Sequence, residues 1–331
     1  MIAQIFRRLA WSLFTIWAVV TATFLIYNVL PEDPARVIAG PQARPADVAR
    51  IRQQLGLDRP LLVRYARYWT GLVSFGPGPA DPKDDSALKV GPVRIDLGVS
   101  YLKRKPVVVL LKKALPPTLL VGVFAIFIQV AIGAFGGVLA AMRRHTVFDW
   151  GTVALTLVGI SAPTFLTGLL LQHFMARELM LFPLDGYGQT TAEHIHSAIL
   201  PAITLGMFGA AYYTRLVRDE MITLLKQDYV RTARAKGQRE WVVVYKHALR
   251  NALMPLVTVV GLSMGTLVGG AIVTEKIFRW PGIGALSVDA IVERDGPVIM
   301  GVVILFSTVV VFANLLVDVS YTLLDPRVRK R

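Results

Sequence analysis

Six apolar stretches alternate with polar, charge-bearing connectors along the chain: Leu9–Leu30, Pro116–Met142, Trp150–Ala176, Ser197–Thr214, Asn251–Thr274 and Pro297–Val317. Each has, or comes close to, the roughly 20 residues a helix needs to cross a bilayer. The pattern predicts an all-α integral membrane protein of six transmembrane helices. The fourth stretch is the shortest and is expected to continue as helix past Arg215. Pro163 and Pro255 lie inside the third and fifth, where neighbouring helices can satisfy the backbone groups a proline frees. Composition agrees, since 54% of the 331 residues are hydrophobic.

The connectors set the expected orientation. Arg143 and Arg144 separate stretches two and three, and Arg327, Arg329, Lys330 and Arg331 end the chain. From Arg215 to Arg250 nine Lys/Arg stand against four Asp/Glu. Short, basic connectors stay in the cytoplasm, so both ends are expected inside, at a bacterial-type cytoplasmic membrane. Arg7 and Arg8 precede an uncharged run too long for the core of a signal peptide, which reads as a retained first span.

The organisation expected is therefore a first helix over 1–30, an external loop over 31–114, a five-helix core over 115–323 that contains a cytoplasmic loop at 215–250, and a basic tail over 324–331. Within the external loop, Ala46–Leu55 reads as a short helix. Leu61, Leu62, Tyr65, Tyr68, Trp69, Leu72 and Val73 make an apolar helical stripe, packed or interfacial. Phe75–Asp96, rich in Gly, Pro and Asp, reads as an irregular insertion, and Val107–Leu115 leads helically into the second span.

Chemistry narrows the function. The chain has no Cys and a formal charge of +14, much of it flanking spans, where it orients the chain and meets anionic lipid. No G-x-x-x-x-G-K-[ST], H-E-x-x-H or G-x-S-x-G occurs, so neither a P-loop ATPase nor a common membrane hydrolase is expected. The spans lack internal carboxylates; Gln129, His173, Asn314 and Asp318 are the polar groups in or near them. A proton-coupled carrier needs such groups. A passive pathway driven from elsewhere fits better than a secondary carrier, and an assembly subunit of a membrane complex remains a further reading. Gly133 and Gly137, and Gly261, Gly265 and Gly269, have the spacing that lets helices approach closely.

The connector Asp228–Pro255, DYVRTARAKGQREWVVVYKHALRNALMP, looks folded. Asp228 can cap a short helix and Gly237 can end it. A solvated loop that only fixes topology would need the charge but not the small residues, so docking to another protein is favoured.

The same segment resembles the membrane-spanning subunit of a type I ABC importer. Arg231, Thr232, Ala233 and Gly237 fall on the E-A-A-x3-G part of that family's cytoplasmic pattern, and Leu249 on the leucine that follows. DYVRTARAKG, HALRNALMP, EKIFRWPGIGALSVDAI, NLLVDVSYTLLDPRVR and LGLDRPLLVRYARYW together resemble the first permease of oligopeptide/dipeptide importers. The likeness covers nearly the whole chain and departs at Gly76–Ile95.

The resemblance implies a permease for peptides that pairs with a second, similar permease, two ATPase subunits or domains and an external substrate-binding protein. ATP and Mg would be held by the partner subunits and no cofactor by this chain; the same family includes nickel, glutathione and haem-precursor importers. It implies a coupling helix at Tyr229–Glu240, with Tyr229, Arg231, Thr232, Ala233, Arg234, Gly237, Arg239 and Glu240 meeting the ATPase, and Ala233 and Gly237 permitting close approach. Trp280, Pro281, Gly282, Ile283 and Gly284 are expected to turn against the companion permease near an external gate, although an ordinary tight loop fits nearly as well. Ser161, Thr164, Ser263, Thr266 and Asn314 are candidates for the cargo path.

Overall fold

The computed structural model describes residues 2–29, 33–40, 42–75, 87–90 and 93–324. Its helices are α1 (Ile2–Val29), α2 (Pro34–Ala39), α3 (Pro45–Gln54), α4 (Leu61–Leu72), then, after strands β1 (Val73–Phe75), β2 (Leu88–Val90) and β3 (Val93–Ile95), α5 (Val107–Met142), α6 (Val147–Ser161), α7 (Thr164–Leu171), α8 (Thr191–Leu224), α9 (Asp228–Ala235), α10 (Glu240–Val242), α11 (Arg250–Ile277), α12 (Ile283–Val292) and α13 (Gly296–Leu324). Wider π turns occupy Gln172–Glu178, after α7, and Val243–Leu249, between α10 and α11.

Four helices among the described residues are long and apolar enough to cross a membrane: α1 over Ala10–Val29, α5, α8, and α13 over Gly296–Leu315. They carry the first, second, fourth and sixth apolar stretches. The fourth does continue past Arg215, to Leu224. The 36 residues of α5 are about 54 Å long, against about 30 Å of hydrocarbon. The fifth stretch lies on α11, whose side chains over 262–270, including those of Gly265 and Gly269, fall outside the described set.

The third stretch departs from expectation. It is not one straight span, because α6 and α7 are bent by 103° at Ala162-Pro163. Ala162 is extended (φ −72°, ψ 125°), as a residue before proline prefers, and Pro163 has no N–H with which to continue the ladder.

The chain divides into two compact units, Met1–Pro116 with Ala285–Val311, and Pro117–Gly284 with Phe312–Arg331. In the first, Val20 and Phe24 of α1 pack with Met300 of α13 and with Tyr65, Tyr68 and Trp69 of α4, so the aromatic part of the apolar stripe is packed, while Leu61, Leu62 and Val73 are exposed. Tyr65 and Thr21 share a hydroxyl hydrogen bond of 2.8 Å.

The insertion is not wholly irregular. β1, β3 and β2 form an antiparallel sheet in that order, with Ile95 opposite both Val73 and Leu88. Leu88-Lys89-Val90 and Val93-Arg94-Ile95 alternate apolar and charged residues, the period a strand needs. The fold is thus helical with one small sheet; residues 76–86 and 91–92 of the insertion lie outside the described set. The buried Asp295 accepts hydrogen bonds from the Ser100 hydroxyl and from the Tyr101 amide, the latter at 3.2 Å, while the Tyr27 hydroxyl donates to the Arg294 carbonyl at 3.0 Å.

In the second unit, α5 crosses α8 at its glycines. A Cβ on Gly137 would stand 2.7 Å from Cβ of Val217 and 2.8 Å from the Thr214 carbonyl oxygen, and one on Gly133 would enter the Tyr213 side chain. Close helix approach is therefore what Gly133 and Gly137 provide. Tyr213, Val217 and Met221 of α8 pack there with Val138 and Ala141 of α5, and with Val244, Ala248, Ala252 and Leu256 around the start of α11.

Candidate functional site

The basic segment is built on that core. Helix α9 begins after Gln227, which is its N-cap and makes no side-chain cap; Asp228, expected as the cap, is the first helical residue. The helix ends at Ala235, with Lys236 as its C-cap. Gly237 follows at φ +71°, its amide bonding to the Arg234 carbonyl (2.9 Å) and that of Gln238 to the Ala233 carbonyl (3.3 Å). This paired closure needs a left-handed residue at its turn, which glycine adopts at least cost. A Cβ on Gly237 would meet nothing within 4 Å of this chain, so within the chain the glycine serves backbone conformation.

The face turned inward is Val230 and Ala233, buried with Val243 and flanked by Leu225. Ala233 is therefore occupied by its own chain, a correction to its expected place against a partner. Tyr229, Arg231, Thr232, Arg234, Gly237, Arg239 and Glu240 are all exposed. The Tyr229–Glu240 span is not one helix: α9 stops, turns at Gly237, and a second helical run opens at Glu240.

Three contacts tie this turn down. The Arg234 guanidinium donates to Glu240 at 2.6 and 3.2 Å, which holds the Glu240 carboxyl below the ordinary carboxylate range. Gln238 and His247 are joined at 2.8 Å. The Asn251 amide donates to the Tyr229 hydroxyl at 3.1 Å and to the His247 carbonyl at 3.1 Å. Helix α9 is thereby joined to the start of α11 by side chains and to the end of α8 by packing. Arg218 of α8 also donates to Asp149 at the start of α6 at 2.6 and 2.9 Å. The Asp149 carboxylate, 3% exposed, accepts from the His145 amide as well (3.0 Å). The arrangement can carry a push on the exposed face of α9 into three apolar helices as a rigid-body displacement.

The turn at Trp280–Gly284 is placed differently from expectation. Trp280 and Ile283 are each 1% exposed, with Trp280 in a core of Val121, Ala125, Ala198, Ala202 and Leu205. Buried this way, Ile283 offers no surface to a companion subunit; Pro281 is exposed. The turn closes around Glu275, itself 1% exposed. The Thr118 hydroxyl donates to the Glu275 carboxylate at 2.7 Å and accepts from the Ile283 amide at 2.8 Å. A Cβ on Gly282 would overlap that carboxylate, and one on Gly284 would stand 2.7 Å from Cα of Ile272. The two glycines are there because the buried acid and the α11 backbone leave no room for more.

Among the path candidates, Ser161 is exposed and Thr164 half-buried on either side of the Pro163 break, and Asn314 is exposed on α13. No hydrogen bond joins these three. The side chains of Ser263 and Thr266, on α11, lie outside the described residues, as do residues 325–331 of the expected tail. Sequence reasoning missed Asp149, Glu275 and Asp295, buried carboxylates at helix ends just beyond the apolar stretches. For Glu275 a signal was present, since it opens the run that carries Gly282 and Gly284.

Comparison with known proteins fits this arrangement. The model of the "Binding-protein-dependent transport system inner membrane component" family matches residues 133–330, and the model of that family's N-terminal part matches 1–122. A putative peptide transport system permease protein of Brucella abortus is 38% identical over 332 residues, 99% of each chain. A probable peptide ABC transporter permease protein of Sinorhizobium fredii is 38% identical over 328 residues, 98% of each. A glutathione transport system permease protein of Salmonella paratyphi A is 39% identical over 329 residues, 99% of each. The chain belongs to the binding-protein-dependent transport system inner membrane components, as a multi-pass ABC importer permease of the branch that holds these peptide and glutathione relatives.

Proposed function

We propose that the chain forms one half of the pathway by which an ATP-driven importer brings peptides into the cell. It crosses the cytoplasmic membrane six times, with α11 and the bent α6–α7 pair as the two spans beyond the four long helices, and has both ends inside. A second, similar permease completes the pathway. An external binding protein delivers cargo to the 31–114 loop. Two ATPase subunits or domains hold ATP and Mg; this chain has no ATPase of its own.

The observation that carries the reading is the docking of α9, through Val230 and Ala233, on Val243 of the π turn that leads into α11 and on Leu225 just after α8. Such a helix, with the turn that follows it, presents Tyr229, Arg231, Thr232, Lys236 and Arg239 to the cytoplasm while anchored in the transmembrane core. A basic, exposed rim suits acidic groups on a partner.

The test is reconstitution in vesicles with the second permease, the ATPases and the binding protein. Peptide-stimulated ATP hydrolysis and accumulation of labelled peptide are expected. Accumulation by this chain alone on an ion gradient would overturn the reading. Glutathione is the second cargo, favoured by the relative at 39% identity; competition between glutathione and peptides of graded length in the same vesicles separates the two.

A further inference from the structure

In the unit made of 1–116 and 285–311, a cavity of about 350 Å³ opens beside the end of α1. Apolar Phe24, Leu72 and Met300 line it, together with three arginines, Arg59, Arg64 and Arg67. Arg64 donates to the neutral side-chain oxygen of Asn28, and no ion pair holds any of the three among the described residues. The carboxylate in the lining, Asp96, accepts from the Gly98 amide at 2.8 Å. Gly56, at φ +65°, borders the same space: a Cβ there would lie 3.7 Å from Nη1 of Arg67 and 4.0 Å from Nε of Arg59. Two guanidinium groups thus flank one gap, with Arg64 a turn of α4 before Arg67.

We propose that this cavity is an anion site for a phosphate group, that of a phospholipid headgroup at the outer end of α1. Guanidinium groups match phosphate oxygens in pairs, and three of them against the single carboxylate of Asp96 leave an excess of positive charge that suits an anion. Tyr68, in the same lining, has a buried hydroxyl with no hydrogen-bond partner; burial pushes its pKa up, so it stays a donor. Depth selects the lipid over other anions. Tyr27 and Asn28 close the candidate span Ala10–Val29, where headgroups lie.

The test uses the assembled transporter in detergent, titrated with phosphatidylglycerol, with a phosphate-free glycolipid of the same acyl chains, and with inorganic phosphate, bound species being counted by native mass spectrometry. One phosphatidylglycerol per chain is expected, with no comparable binding of the glycolipid. Replacing Arg59, Arg64 and Arg67 together by Gln should weaken it about a hundredfold, at roughly a factor of five per charge, while Arg36→Gln with Arg50→Gln leaves it unchanged.

Gly56→Asp puts a built-in anion between Arg59 and Arg67, and Gly56→Asn puts in the same bulk without charge. The Asp variant should bind at least about tenfold less lipid than the Asn variant. This pair decides the matter if the triple variant fails to assemble. Equal lipid binding by the two, or equal binding of the glycolipid by the parent, overturns the proposal. Displacement of the lipid by inorganic phosphate would assign the site to the free ion and overturn the lipid source. Loss of affinity for the binding protein in the triple variant, with lipid binding unchanged, would assign the cavity to acidic groups of that protein instead.

Discussion

Arg218 holds Asp149 through two nearly parallel hydrogen bonds, of 2.6 and 2.9 Å, between side chains 69 positions apart in the chain. The contact closes the turn after α5 onto the C-terminal extension of α8. Removing Asp149 leaves Arg218 with the exposed Asp219 as its partner, and losing the buried charge-assisted hydrogen bonds costs about 2 kcal/mol. Asp149→Ala is therefore expected to lower the stability of the detergent-solubilised chain by about that amount, read as a shift in thermal unfolding. Replacing both residues by apolar groups should cost less than Asp149→Ala alone.

Gly237 sits in the left-handed region with open space where a side chain would go. Gly237→Ala should then act through the backbone alone, at about 1 kcal/mol, and Gly237→Asn should be milder, since Asn tolerates that region. Membrane insertion is expected to persist in both. Peptide-stimulated ATP hydrolysis should fall in the order Gly, Asn, Ala. A bulky but flexible residue that performed as well as glycine would show that the closure of α9 is not what coupling uses.

These two positions also show what a reader of the sequence can and cannot see. The glycine and the basic segment were legible because helix ends and topology leave local chemical marks. The continuation of α8 past Arg215 was legible because its apolar period does not stop there. The break at Pro163 was not: a hydropathy run records burial, and it is the same whether the proline is absorbed, as Pro255 is inside α11, or bends the chain by 103°. The π turn at Val243–Leu249 keeps the same apolar residues as an α turn. Glu275 was passed over because its answering hydroxyl, on Thr118, is 157 residues away, beyond the reach of any local pattern.

The hydrogen bond from Asn251 to the Tyr229 hydroxyl is the side-chain link between α9 and the first turn of α11. Tyr229→Phe removes it and keeps the ring. The expected loss is about 1 kcal/mol in local stability, seen as faster hydrogen exchange of the α9 amides with no change in α5 or α13. Uptake should fall together with that protection. If exchange rises and uptake does not, the link stabilises α9 without transmitting its motion.

The Glu275 carboxylate occupies the space where a side chain on Gly282 would be, and it receives the Thr118 hydroxyl, which in turn accepts from Ile283. The turn after α11 is therefore shaped by an acid held inside it. Gly282→Ala must displace either the carboxylate or the turn backbone, and overpacking of this kind costs about 1–3 kcal/mol. Glu275→Ala removes the obstacle but leaves a cavity and takes away the carboxylate that the Thr118 hydroxyl donates to. Each single variant should destabilise the chain, and the double variant should be more stable than the sum of the two losses, because the second change relieves the first. A coupling of about 1 kcal/mol is expected from a double-mutant cycle on thermal unfolding. Simple additivity of the two losses would show that Gly282 answers to something other than Glu275.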